Sequence, residues 1–263
     1  MKKLLLLLPL SISFLSASDW PRWLGPDGTG VSNETDWQAN LEKVAWKAKV
    51  GLGFSTVSVA DGRLFTMGHD GIKQDGKETV WCLDAVTGKE LWSDSYEAQL
   101  VDYLHEGGPC ATPTVDGETV YSISKDGRLN AYLAAKGTLL WSKNMMTAAG
   151  MKKPPEWGFS GSPYVLDDLL IIEADYTFAL KKDSGKEVWR SKKYRHAYGS
   201  PAAFAHAGKT RIATLKTDGL IILDAANGKT LAFEKWETSY RTNSTTPLVR
   251  GDKIFISTGY RRG

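Results

Sequence analysis

The chain has 263 residues, a formal net charge of +3 and 42% hydrophobic residues. Its basic residues form no run, so nucleic acid is not indicated as a partner. The mature length suits one large β domain or part of one, and ten tryptophans are many for it.

In chain order, Met1-Lys2-Lys3, the apolar run Leu4–Leu15 and the small residues Ser16-Ala17-Ser18 read as a secretory signal peptide over 1–18. The run is too short to span a membrane, and no lipid-attachment cysteine follows it. A periplasmic or secreted protein without a transmembrane segment is expected. A leader follows over 19–45. Val44 to Val50 then reads as a lone outer strand ending near Trp46.

From there the sequence repeats. Trp46, Trp92, Trp141 and Trp189 are spaced by 46, 49 and 48 residues. Three of them close one phrase: Cys82-Leu-Asp-Ala-Val-Thr-Gly-Lys-Glu-Leu-Trp92, Ala131-Tyr-Leu-Ala-Ala-Lys-Gly-Thr-Leu-Leu-Trp141 and Ala179-Leu-Lys-Lys-Asp-Ser-Gly-Lys-Glu-Val-Trp189. A fourth copy, Ile222 to Ala232, keeps the turn and loses the indole. A period in the 40s with one aromatic signature per unit marks a repeat architecture. Each unit divides into four short strands. The first follows a Ser/Thr-Pro pair (Thr112-Pro113, Ser162-Pro163, Ser200-Pro201, Thr246-Pro247, with Thr56-Val57 degenerate). Turns such as Asp61-Gly62, Gly208-Lys209 and Asn227-Gly228 separate the rest.

Four-stranded antiparallel units of this length are β-propeller blades, so an all-β propeller is expected. The blades fall at about 47–92, 93–141, 142–189 and 190–233, with a partial fifth over 234–263; the propeller as a whole occupies 46–263. The sequence stops inside that fifth unit and reads as a C-terminally truncated fragment. Trp92, Trp141 and Trp189 are assigned to structure, each ring bridging to the next blade. Cys82 shares a small-residue column with Ala131 and Ala179; whether it pairs with Cys110 stays open.

The phrase Leu83 to Trp92 resembles the tryptophan-docking repeat of the PQQ-like, quinoprotein-type β-propellers. Asp19-Trp-Pro-Arg-Trp-Leu-Gly-Pro-Asp-Gly-Thr-Gly-Val31 resembles the leader of exported members of that group. The resemblance spans essentially residues 19–263 and implies an eight-bladed ring. It implies two functional classes, quinoprotein alcohol dehydrogenases and the non-enzymatic propeller of the barrel-assembly machinery.

Function is sought in the loops leading into the innermost strands, which a propeller gathers around one channel mouth. They offer His105 and Glu106, then Trp157, then Arg195, His196 and Tyr198, then Tyr240, Arg241 and Asn243. Carboxylate, imidazole, guanidinium and aromatic groups converging there suit a polar ligand or peptide. His105 and Glu106 are the only catalytic candidates, as a base and its orienting partner. His206 is expected at the surface, and His69 in a flexible loop. The resemblance would require adjacent cysteines, an Asp base and a calcium trio for quinone chemistry; no adjacent cysteines and no evident metal set appear. The leading expectation is an exported, non-catalytic binding or scaffold module for a protein or polysaccharide partner. The alternative is a quinoprotein-like oxidoreductase of the alcohol or sugar dehydrogenase type, with PQQ and Ca.

Overall fold

The computed structural model describes residues 18–35, 43–103 and 105–259. The expected signal peptide, but for Ser18, lies outside them. Among the described residues no helix is long and apolar enough to cross a membrane.

Among the described residues eighteen strands build five antiparallel sheets. The first sheet holds β1 (Ser58–Ala60), β2 (Arg63–His69), β3 (Lys77–Asp84) and β4 (Glu90–Glu97), and the second β5 (Thr114–Asp116), β6 (Thr119–Ile123), β7 (Arg128–Leu133) and β8 (Leu139–Asn144). The third holds β9 (Tyr164–Leu166), β10 (Leu169–Glu173), β11 (Thr177–Lys181) and β12 (Glu187–Arg190), and the fourth β13 (Ala202–His206), β14 (Lys209–Leu215), β15 (Gly219–Asp224) and β16 (Thr230–Lys235). The last pairs β17 (Leu248–Arg250) with β18 (Lys253–Phe255). Strand order follows chain order in every sheet, the pattern of a propeller blade. The fourth strands of the first three sheets run past their tryptophans to Glu97, Asn144 and Arg190. A single helical turn, α1 (Met145–Ala148), is capped by Asn144, whose side-chain oxygen accepts the Thr147 N–H at 2.8 Å.

The repeat phrase has a steric cause. Between third and fourth strands all four complete sheets carry a register shift at the same place, after Cys82, Ala131, Ala179 and Ile222. Cys82, Ala131 and Ala179 pair directly with Trp92, Trp141 and Trp189, so a small residue faces each ring. The indole N–H then reaches the following sheet. Trp92 donates to Ala134 O at 2.8 Å, Trp141 to Lys182 O at 3.1 Å and Trp189 to Ala225 O at 3.1 Å. The ring lies against the glycine of that sheet's last turn. A Cβ on Gly137 would sit 2.6 Å from the Trp92 ring, and on Gly228 2.4 Å from Trp189. Both glycines have positive φ, so side-chain volume and backbone conformation exclude other residues together.

Trp46 makes the same contact, donating to Ala85 O at 3.2 Å above Gly88. The strand expected around it, Val44–Val50, is absent: this segment is irregular, so the indole contact survives without a sheet behind it. Two further expectations change. His69 ends β2 and is buried, its Nε2 3.0 Å from Ala98 O and its Nδ1 accepting the Gly71 N–H at 3.0 Å. A saturated, buried imidazole fixes that loop rather than floating in it. The turn read as Gly208-Lys209 is Ala207-Gly208, both with positive φ, because Lys209 already pairs with His206. His206 is exposed.

Apolar side chains fill the spaces between consecutive sheets. Phe65, Val80, Trp92 and Tyr132 join the first to the second, Tyr121, Leu129, Leu170 and Phe178 the second to the third, and Ile171, Trp189, Ile212 and Leu223 the third to the fourth. The leader crosses the inner strands. Trp20 exchanges hydrogen bonds with Val59, Pro21 O accepts the Val115 N–H at 2.8 Å, and Arg22 lies 4.8 Å over the Tyr164 ring. Trp23 Nε1 donates to Thr246 Oγ1 at 3.0 Å, just before β17.

Candidate functional site

The Ser/Thr-Pro pairs set the geometry of the centre. Thr56 and Thr112 hydroxyls are 2.7 Å apart, the Thr112 N–H donates to Ser162 Oγ at 2.9 Å, and the Ser162 N–H donates to Ser200 Oγ at 2.9 Å. The first four of these pairs are thus tied in succession by hydroxyls on the inner rim. Above this rim lies a cavity of about 440 Å³. The loop before every first strand contributes to it: Phe54, then His105 and Cys110, then Trp157 and Ser160, then Tyr198, then Thr242 and Ser244. Trp23 of the leader joins them.

His105 is the organising side chain of the wall. Its ring stacks on Trp157 with centroids 5.4 Å apart and 12° between planes, and Phe54 meets it edge-on at 5.3 Å. Nδ1 accepts the Gly107 N–H at 2.8 Å, so the neutral ring carries its proton on Nε2. Nε2 lies 3.0 Å from Lys125 Nζ. An uncharged Lys125 amine can accept that N–H, whereas an ammonium can only donate to Nε2, with the ring proton on Nδ1. Lys125 is fully buried, and burial pulls its pKa below the usual lysine range. Burial likewise lowers His105.

The expected acid–base couple is therefore rearranged. Glu106 is exposed and His105 has both nitrogens occupied, by Gly107 and Lys125. Lys125 opens the tight turn between β6 and β7. The overlooked signal is a spacing: His105 precedes Lys125 by 20 residues, as His196 precedes Lys216.

The other candidates divide between the cavity and a neighbouring groove of about 890 Å³. Trp157 and Tyr198 face the cavity, and Tyr198 also borders the groove. Burial pushes the Tyr198 hydroxyl up to about 12. Arg195 borders the groove with its guanidinium held by Asp218 at 2.6 Å and by Glu237. Arg241, exposed with φ of 59°, lies on the same groove. His196 packs between Phe159 and Tyr198, and burial pushes it down to about 3. Tyr240 is 67% exposed and borders neither space. Asn243 is a correction to the ligand-facing expectation: it is fully buried, donating to Lys216 O and Trp236 O at 2.8 Å each. Its amide ties two loop carbonyls that water cannot reach.

Among the described residues no group of three or more His, Cys, Asp or Glu side chains could hold a metal ion. Cys82 and Cys110 are both free thiols, one buried in β3 and one at the cavity. Burial pushes the Cys82 thiol up to about 12.

A family model described as "Outer membrane protein assembly factor BamB" matches residues 31–155 and 108–262. No curated protein matches the chain. Among solved structures it is similar to the quinohemoprotein alcohol dehydrogenase from Comamonas testosteroni, at 18% identity over 82% of this chain and 41% of that one, with a TM-score of 0.58. It is similar to a europium-containing methanol dehydrogenase at 17% identity, over 69% of this chain and 41% of that one, with a TM-score of 0.53. BamB from Moraxella catarrhalis matches at 16% identity over 82% of this chain and 58% of that one, with a TM-score of 0.49. The chain spans about two fifths of the length of the two dehydrogenases. At these identities the likeness shows the fold. With the family match covering most of the sequence, the chain belongs to the PQQ-like β-propeller repeat family described as outer membrane protein assembly factor BamB.

Proposed function

We propose that the protein is exported and acts as a non-catalytic binding module, taking a protein or polysaccharide partner at its channel mouth. One observation carries the reading: every loop leading into a first strand contributes to a single aromatic, hydroxyl-lined cavity, while the one imidazole in its wall is held at both nitrogens. Such a cavity can hold a ligand and has no base ready to move a proton. Immobilised wild-type protein and Trp157→Ala are compared on a panel of purified polysaccharides and exported proteins. A partner bound by the first and lost by the second supports the reading. A partner held equally by both puts binding elsewhere and rejects it.

The second reading is a quinoprotein-like oxidoreductase, favoured by the fold shared with two dehydrogenases. It expects dye-linked alcohol or sugar oxidation after incubation with PQQ and Ca²⁺, and a quinone absorbance diminished by Arg241→Ala. Appreciable turnover would reject the binding-module reading. Cell fractionation tests export, expected in the periplasm or medium.

A further inference from the structure

We infer that the cavity takes the free end of a neutral saccharide chain. This rests on the binding-module reading and names the ligand of the same site.

Charge comes first. Among the described residues no Asp, Glu, Lys or Arg side chain lines the cavity. An ionised ligand would leave water with nothing to compensate it.

The floor then specifies hydrogen bonding. Ser162 Oγ and Ser200 Oγ each accept a backbone N–H, and Thr246 Oγ1 accepts the Trp23 indole N–H. A hydroxyl that accepts keeps its own proton to give. For these three, no protein acceptor of that proton is found among the described residues. Thr242 lines the cavity too, and its Oγ1 is shut off from solvent with no hydrogen-bond partner among the described residues. Hydroxyls left in this state, on the buried Ser162 and Ser200 and the half-buried Thr246, suit an occupant rich in neutral acceptor oxygens. Hydroxyl and ring oxygens of a sugar supply them.

The wall provides the apolar complement. Trp157 has one face against His105, which fixes the plane of the indole at the cavity. The electron-rich face of an indole suits the C–H face of a pyranose ring.

Trp23 decides how the chain enters. It lines this cavity and a second one of about 70 Å³ beyond it; Ser162, Ser200 and Thr246 also line both. Its indole, pinned to Thr246, lies on the boundary the two spaces share. With the space beyond so small, this boundary is the closed end of the site, where a chain terminus fits.

The test is an array of neutral linear oligosaccharides from α- and β-glucan, mannan, xylan and chitin, followed by calorimetry. Ionised oligogalacturonate and ring-closed cyclomaltoheptaose serve as controls. At least one neutral linear series is expected to bind, with affinity reduced about tenfold or more in Trp157→Ala and several-fold in Thr242→Val. Thr242→Val removes a hydroxyl no protein group uses, so it keeps the test valid if Trp157→Ala misfolds. The controls are expected not to bind. A blank array, a ring-closed sugar bound as well as a linear one, or unchanged affinity in folded Thr242→Val overturns the inference. If the array is blank yet Trp157→Ala still abolishes binding of a protein partner, the saccharide fails and the binding module stands. Quinone-dependent turnover would instead remove the module itself.

Discussion

Glu78, Lys125 and His105 gather where the first sheet meets the second, and Glu173, Lys216 and His196 gather where the third meets the fourth. Both lysines lie in the turn between second and third strands, both are fully buried, and each is approached by a glutamate of the preceding sheet. The charge is arranged differently. Lys216 Nζ forms an ion pair with Glu173 and donates to Ala174 O at 2.8 Å, and Thr177 Oγ1 donates to the same carboxylate at 3.0 Å. Glu78 instead accepts the Lys125 backbone N–H, at 3.2 Å, and burial pushes its carboxyl up to about 8. At neutral pH it keeps its proton, while the Lys125 amine turns to His105. The same residue types thus give an ion pair at one sheet junction and, at the other, a buried carboxyl that keeps its proton. Desolvation decides the difference: a charge survives burial only where a partner and further hydrogen bonds meet it.

The largest expected effect breaks the comparison directly. Lys216→Met strands the Glu173 carboxylate and is expected to cost about 3–5 kcal/mol in denaturant unfolding. Lys125→Met strands no charge and should cost clearly less. Equal losses would show that Lys125 is charged too.

Next comes the pH response of Glu78. Its folded value of about 8 lies above the ordinary 4.5, so the folded state holds a proton the unfolded chain releases. Its contribution is complete below about pH 4.5 and disappears as pH rises through about 8. Glu78→Gln, which keeps an acceptor for the Lys125 N–H, should match wild type near pH 4.5. By pH 8 it should be the more stable, by an amount on the order of a few kcal/mol. Parallel pH profiles for the two proteins would refute a raised Glu78.

Little of this contrast was legible in the sequence. The tryptophan column was, because the small residue opposite Trp92 and the glycine beneath its ring at Gly137 are dictated by local sterics that recur in every unit. The mouth loops were legible for a related reason: repeats superpose, so the same slot in each unit lands at the same end. Asn243 and Lys125 were not. Their surroundings come from other loops and sheets, and one hydrogen bond decides whether such a group faces a ligand or serves the backbone. The leader's path across the inner strands was equally hidden, since Trp23 meets Thr246 more than two hundred residues away.

The imidazoles complete the comparison. His105 satisfies the Gly107 N–H and faces the Lys125 amine, so His105→Phe should cost about 1–3 kcal/mol by leaving both unpartnered. His196 behaves oppositely. Among the described residues neither ring nitrogen makes a well-formed hydrogen bond, and burial followed by the Lys216 charge, opposed by the nearby Ala174 backbone, pushes its pKa to about 3. A depressed histidine contributes stability above its unfolded value of 6.5, and loses it as pH falls toward 3. His196→Phe, placed between Phe159 and Tyr198, removes two unsatisfied polar atoms from an aromatic setting. Its stability at pH 7 should equal or exceed wild type by up to about 1 kcal/mol, with a wider margin at pH 5, where wild type has begun to lose its share. Thermal melts at the two pH values decide it: a destabilised variant at both would mean that the His196 nitrogens are partnered, and that the two clusters are more alike than their geometry indicates.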